Sequence, residues 1–143
     1  MIRDYKVTDL DQVMNIWQQA FALAHPFLEE VFVEKVTKDM KEVYLPNPEA
    51  KTWVYIENNE MLGFVSMLDC EIAGLFVSPK NHSKGIGTLL VNHVRERYDY
   101  LNVEVFENNK IGRAFYDKYG FKKVKEYLFD QVNQKVFVLR IDK

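Results

Sequence analysis

The sequence predicts an α+β fold, a three-layer α/β arrangement in which a mixed sheet carries helices on both faces. Three observations predict it. Apolar residues recur at spacings of three and four in some segments and alternate in others. The strand-like runs and the helices follow one another in the order βααβββαβαββ. Hydrophobic residues make up 48% of the 143, with ten Phe, eight Tyr and two Trp, enough apolar surface for a full core. No linker, repeat or low-complexity stretch divides the chain, so residues 1–143 are expected to form a single domain.

Ile2 to Val7 is short and partly apolar, a first strand. Thr8 followed by Asp11 resembles a capping box, with Asp in place of the longer Glu, and should open the first helix. Leu10, Val13, Trp17, Phe21 and Ala24 then give that helix one apolar face. His25-Pro26 stops it, because the residue before proline is pushed out of the α region. A second helix is expected from about Leu28 to Tyr44, ended by L-P-N-P. K-T-W-V-Y-I-E and M-L-G-F-V-S-M-L flank the polar N-N-E and read as a hairpin. E-I-A-G-L-F-V is the fourth strand and ends at Ser78-Pro79. Gly87 to Tyr98 is helical in pattern, with Leu90, Val91 and Val94 on one side. Leu101 to Phe106 alternates as a strand, and Asn109 to Tyr119 is a short helix with Gly120 as its stop. F-K-K-V-K-E-Y-L and K-V-F-V-L-R-I close the chain as a hairpin.

Several function classes are disfavoured by the bulk properties. Nineteen basic and 21 acidic residues leave a formal charge of −2, so nothing favours nucleic acid as a partner. Cys70 is the single cysteine, which rules out an intrachain disulfide and a cysteine metal cluster, and no metal is expected. No apolar run is long enough to span a bilayer. M-I-R-D-Y-K-V-T-D lacks the apolar core of a secretory signal, so a cytoplasmic place is expected, with no membrane partner.

The stretch N-H-S-K-G-I-G-T-L-L, from Asn81 to Leu90, sits between a strand and a helix. The first turn of a helix leaves backbone N–H groups without partners, and the helix dipole adds positive charge there. Gly85 and Gly87 remove Cβ atoms that would hold a phosphate away, and Lys84 adds a charge. The alternative is a plain strand-to-helix turn in which the glycines serve geometry only. The P-loop spacing is absent, and Leu90 stands where a dinucleotide fingerprint needs its third glycine.

The segment L-F-V-S-P-K-N-H-S-K-G-I-G-T-L-L resembles the acetyl-CoA-binding segment of the GCN5-related N-acetyltransferases (GNAT), [QR]-x-x-G-x-[GA] after a strand ending V-x-P. Gly85 and Gly87 match its small positions, and His82 departs from the usual Gln or Arg. Downstream, E-N-N-K-I-G-R-A-F-Y-D-K-Y-G-F is similar to the family's N-x-x-[AG]-x-x-[FL]-Y-x-x-x-G-F, with Asn109, Phe115, Tyr116, Gly120 and Phe121 in register. A-H-P-F-L after the first helix and the L-P-x-P before W-V-Y-I resemble the YjaB-like branch of small bacterial members.

The resemblance implies a mostly antiparallel sheet of six or seven strands, splayed after the fourth. It implies acetyl-CoA as co-substrate, lying in that gap against the backbone of Phe76 and Val77. The cofactor-binding segment would be His82, Ser83, Lys84, Gly85, Ile86, Gly87 and Thr88, with the N–H groups from Lys84 to Thr88 on the pyrophosphate; Asn109 would bond the cofactor amide, and Phe115 and Tyr116 would complete the donor site. The implied reaction is direct transfer of an acetyl group, through a ternary complex, to a small-molecule or protein amine. Its oxyanion calls for a backbone N–H near the fourth strand.

Tyr116 would protonate the departing thiolate; the other reading is a packing tyrosine beside a core Phe. His25, with an ordinary pKa of ~6.5, is a candidate base, against a helix C-terminal histidine favoured by the dipole. Glu71 would act as base through water, while the acidic position common in the family is Ala73 here. Trp17, Phe21, Phe27, Trp53 and Met67 are acceptor-pocket candidates that serve equally as core. Asp69 and Glu71 would attract a cationic amine, or simply be solvated. His93 is expected at the surface and Cys70 as a small buried residue near the strand opening. A non-enzymatic acyl-CoA-binding module on the same fold is the alternative function. A monomer or a homodimer is compatible with the resemblance.

Overall fold

The computed structural model describes residues 1–143. The strands are β1 (Ile2–Asp4), β2 (Ala50–Glu57), β3 (Glu60–Leu68), β4 (Glu71–Val77), β5 (Tyr100–Phe106), β6 (Lys122–Phe129) and β7 (Gln134–Asp142). The helices are α1 (Leu10–Ala24), α2 (Glu30–Asp39), α3 (Ile86–Arg95) and α4 (Lys110–Tyr119). The order βααβββαβαββ is that of the sequence reading. One sheet runs β1-β2-β3-β4-β5-β7-β6.

Every neighbouring pair is antiparallel except β4 and β5, which run parallel. β5 and β7 hold register from Tyr100↔Asp142 to Phe106↔Val136. β4 and β5 share only Glu71↔Asn102 and Ile72↔Val103. Beyond Ile72 the two strands part, so the sheet splays with its vertex at Glu71 and its open end at Val77 and Phe106. Parallel strands need a crossover, and α3 supplies it.

Each face of the sheet has its own core. Ile86, Leu90, Val91 and Val94 of α3 pack on Leu62, Val65, Met67, Val103, Phe137 and Leu139, and Tyr116 and Phe121 join them. This core spans both sides of the splay. On the other face Val13, Met14, Ile16, Trp17 and Phe21 of α1 meet Val54, Met61, Phe64 and partly buried Phe76. That second core takes its strand residues from β2, β3 and β4 only.

The first strand and the first two helices differ in their bounds from the sequence expectation. Val7–Asp9 winds as a 3-10 turn, and α1 begins at Leu10. The Thr8–Asp11 capping box is not made. Asp9 acts instead, because the tighter turn swings its carboxylate inward to accept Lys6 N–H at 2.8 Å and both Arg3 guanidinium nitrogens at 2.8 and 3.0 Å. The second helix is shorter, Glu30–Asp39, and finishes in a wider π turn over Met40–Tyr44 that keeps Met40 and Leu45 buried. The first strand stops at Asp4 rather than Val7.

Candidate active site

The β4 edge follows from hydrogen-bond parity. Ser78 N–H donates to the Leu62 carbonyl at 2.8 Å, and Leu62 lies across from Ser78 in the register that pairs Gly63 with Val77. Antiparallel neighbours alternate between bonded and non-bonded pairs. Phe76 is therefore bonded to Phe64 within the sheet, and Leu75 and Val77 turn their backbone groups away from β3, toward the gap. A Cβ built on Gly63 would lie 3.0 Å from the Phe76 carbonyl oxygen, which places that oxygen on the β3 side. Phe76 thus has no free backbone for a cofactor, and its ring packs with Phe64, Trp17 and Phe21. Leu75 has outward backbone groups instead, which the sequence alone does not reveal because a strand's sequence carries no parity.

The loop after β4 has the local geometry of an anion cradle. Ser83 and Gly85 both sit in left-handed backbone, at φ 67° and 82°. Gly85 precedes the ten-residue α3, whose first internal backbone bond goes from Leu89 N–H to the Gly85 carbonyl at 3.1 Å. The N–H groups of Ile86, Gly87 and Thr88 thus precede any helical acceptor. The two glycines serve different needs. A Cβ at Gly85 would meet nothing within 4 Å, so its backbone angle demands glycine. A Cβ at Gly87 would come 3.1 Å from the Phe115 ring, so Gly87 lets α4 close on α3. Lys84 leans back to the Asn81 side-chain oxygen at 3.2 Å. His82 donates from Nε2 to the Val77 carbonyl at 2.8 Å. In place of a Gln or Arg, the imidazole thus covers the last outward carbonyl of β4, leaving the Val77 N–H and the Leu75 groups to a ligand.

The Tyr116 ring is buried against Phe115 and Phe121, with centroids 5.3 and 5.2 Å away and both edge-on. Its hydroxyl bonds no protein group, yet it is not among the polar atoms sealed from solvent. Burial pushes its pKa far above the ordinary value of 10.0, so the group stays a neutral phenol at any working pH. Asn109 caps α4: its Oδ1 accepts Gly112 N–H at 2.8 Å. A Cβ at Gly112 would fall 2.7 Å from Asn109 Nδ2, which explains a glycine there.

His25 is buried where α1 ends. Its Nδ1 lies 2.9 Å from the Phe21 carbonyl, an acceptor only, so Nδ1 carries the proton. Nε2 faces Asn109 Nδ2 at 3.4 Å. Burial holds the ring's pKa below its usual value. Both nitrogens are engaged inside the protein, and the ring is walled by Phe21, Phe27 and Phe106.

Glu71 stands at the vertex of the splay. Burial raises its pKa, and the neighbouring Glu104 charge raises it further. Leu101, Val103 and Val105 enter the α3 core, so alternation turns Asn102, Glu104 and Phe106 to the opposite face. There the Tyr127 hydroxyl donates to a Glu104 carboxylate oxygen. Burial first, then that bond, push the Tyr127 phenol up to about 12. Phe106 stacks on Phe129, and Phe129 touches Phe32 of α2. Two carboxylates and a phenol thus share one face of the sheet, with Phe106 and Phe129 beside them toward the open end. Glu104 and Tyr127 lie 23 positions apart, and nothing in the sequence links them.

Other candidates lie elsewhere. Trp53 and Met67 belong to the α3 core on the opposite face, and Trp17 and Phe21 fill the α1 core, so of these five only Phe27 packs on Phe106. Cys70 sits at the closed end, its carbonyl taking Asn102 N–H at 2.9 Å, rather than near the opening. Asp69 occupies the left-handed turn before it, φ 51°. His93 is half-buried against Trp53, at 5.4 Å, rather than a surface residue. A groove of about 450 Å³ beside α4 is lined by Lys110, Arg113 and Phe137, but Arg113 and Lys123 are already placed over the Phe137 ring at 4.8 and 4.4 Å.

Comparison with known proteins bears on the family and the fold. Residues 9–133 match the family described as acetyltransferase (GNAT) domain. The chain is 32% identical over 122 residues to the peptidyl-lysine N-acetyltransferase YiaC of Escherichia coli K12, covering 85% of this chain and 82% of that protein. Its fold is that of the solution structure of apo YjaB from Escherichia coli, with TM-score 0.86, 24% identity, and 98% and 95% of the two chains covered. It is also that of the PaiA N-acetyltransferase of Thermoplasma acidophilum in complex with coenzyme A, with TM-score 0.83, 16% identity, and 100% and 98% covered.

Proposed function

The chain belongs to the GNAT acetyltransferases, and from that premise we propose that its acceptor is the side-chain amine of a lysine in a protein. It is an acetyl-CoA-dependent N-acetyltransferase. One observation carries the acceptor reading: Glu71 and Glu104, near enough for one charge to act on the other, share a sheet face with Tyr127, and Phe27, Phe106 and Phe129 meet on that face toward the open end. Carboxylates attract the ammonium, and aromatic rings suit the lysine's four-carbon stem and its charge. The relative named for peptidyl-lysine acetylation supports the same class. Residues 1–143 act as one catalytic domain in this reading, with the cytoplasm as its place.

Acetyl-CoA supplies an activated acetyl thioester. The backbone groups of Leu75 and the Val77 N–H extend the sheet toward it, and the N–H groups from Lys84 to Thr88 receive its phosphates. Gly85 shapes that cradle, and Ser83 and Lys84 flank it, while His82 stiffens the strand end behind it. Glu71, its pKa raised by burial and by the Glu104 charge, takes the proton that the ammonium must lose before attack. As the carbon–sulfur bond breaks, Tyr116 would give its proton to the departing sulfur. Asn109 serves the site by capping α4, and Phe115 by seating that helix on α3.

The test is a thiol-release assay with acetyl-CoA across lysine peptides, free polyamines and aminoglycosides. Turnover on peptides well above that on the small amines is expected. Preference for a small amine would move the acceptor class, and no release with any amine would favour a non-enzymatic binder.

A further inference from the structure

His25 and Asn109 are 84 positions apart, both are buried, and they meet side chain to side chain. They meet at the open end of the splay. His25 closes α1, which packs on the β1–β4 half, and Asn109 follows β5, the first strand of the other half. The α1-side core stops at β4, so on this face the pair and the Phe27–Phe106 contact span the gap.

The hydrogen-bond logic fixes every proton. The Phe21 carbonyl accepts only, so His25 Nδ1 is protonated and Nε2 offers a lone pair. Asn109 Nδ2 donates to that lone pair at 3.4 Å, which orients the amide with Oδ1 toward Gly112 N–H, 2.8 Å away. A protonated ring would put N–H against N–H, and the amide could not reverse without losing its acceptor for Gly112. The groups around the ring are Phe21 from α1, Phe27 from the following loop, Phe106 from β5 and Asn109 from the α4 cap, none of them charged.

We propose that His25 is a positioning residue: its neutral ring holds Asn109 in the orientation that caps α4, the helix that carries Tyr116. His25 is then no general base, because the lone pair a base would use is spent on Asn109. The kinetic consequence rests on the reading of Tyr116 as the proton donor; the structural consequence does not.

Two arms test this. Long-range ¹H–¹⁵N spectra of the intact protein should show His25 with its proton on Nδ1 and neutral below the pH at which free histidine titrates. Amide exchange should show Gly112 protected, protection kept in His25→Gln, whose side-chain oxygen also accepts, and reduced about tenfold in His25→Phe, the size of a weakened cap. Turnover on a Gly-Lys-Gly peptide, with acetyl-CoA affinity measured by calorimetry, should follow the same order. His25→Gln stays within about threefold, and His25→Phe loses about tenfold in kcat with donor affinity held. A ring protonated on Nε2, or unaltered Gly112 exchange in His25→Phe, overturns the proposal. So does a His25→Gln variant as slow as His25→Phe with Gly112 still protected, which is the signature of a base. If the wild-type enzyme ignores the peptide, the lysine reading fails while tautomer and exchange still decide the positioning role.

Discussion

Tyr116 hides its ring and keeps its hydroxyl free of protein partners, so the effects of losing that hydroxyl separate cleanly. Phe fills the same space, and no internal hydrogen bond is broken. Tyr116→Phe should therefore leave stability and acetyl-CoA affinity nearly unchanged and lower kcat by one to three decades, on the order of a lost general acid. Unchanged turnover would reject the role. Asp9 is the contrasting residue. It is 4% exposed and accepts three hydrogen bonds, two of them from Arg3. Asp9→Ala should cost about 2 kcal/mol in chemical denaturation, the scale of lost charge-assisted bonds. Arg3 lowers the Asp9 pKa, so this stability is present above the ordinary value near ~3.8 and fades as pH falls through the lower folded value. Asp9 was missed in the sequence because Thr8-x-x-Asp11 offered a more familiar cap, and only the 3-10 turn makes Asp9 the better one.

At the scale of elements, the segment from Val77 to Leu90 separates geometry from ligand binding. Gly85 has room for a side chain but a left-handed backbone at φ 82°. Gly85→Ala should lose about 1 kcal/mol of stability and weaken acetyl-CoA binding, and Gly85→Asn should recover part of both, since Asn tolerates that region. Equal loss in both variants would point to the side chain rather than the backbone angle. Gly87→Ala should act through α4, because its new methyl presses on Phe115. Both glycines were legible in the sequence as one motif, but their separate reasons were not. Asn109 was legible as a site residue, yet its side chain caps the helix it precedes, a role visible only once Gly112 N–H is located.

The splay is a property of the whole molecule. It exists because β4 and β5 share two register pairs and then part, while the α3 core bridges the halves on one face and His25–Asn109 on the other. Burial keeps His25 neutral, and His93 is shifted the same way. The unfolded chain takes up these protons near pH ~6.5, the folded one only at lower pH. Stability from these groups is therefore lost as pH falls through ~6.5, and the loss levels off below the folded values. The raised Glu71 works in the opposite sense, so the informative quantity is a difference. Between about pH 7.5 and 5.5, wild type should lose more stability to urea than His25→Phe does. Equal losses would mean that His25 does not resist protonation in the folded chain.

The element order, the glycine loop and the Asn109-to-Phe121 motif were settled by the sequence itself, because caps, stops and periodicity act over a few residues and are written in neighbouring positions. Which backbone groups of β4 face the gap, which phenol and carboxylates share one sheet face, and that His25 spends its lone pair on Asn109 were decided only by tertiary structure. Parity depends on the partner strand's register, and a buried hydrogen bond depends on what the fold brings within 3.4 Å from 84 residues away. Neither distance nor parity is encoded by any local pattern, since both are set by how the two halves of the sheet pack around their own separation.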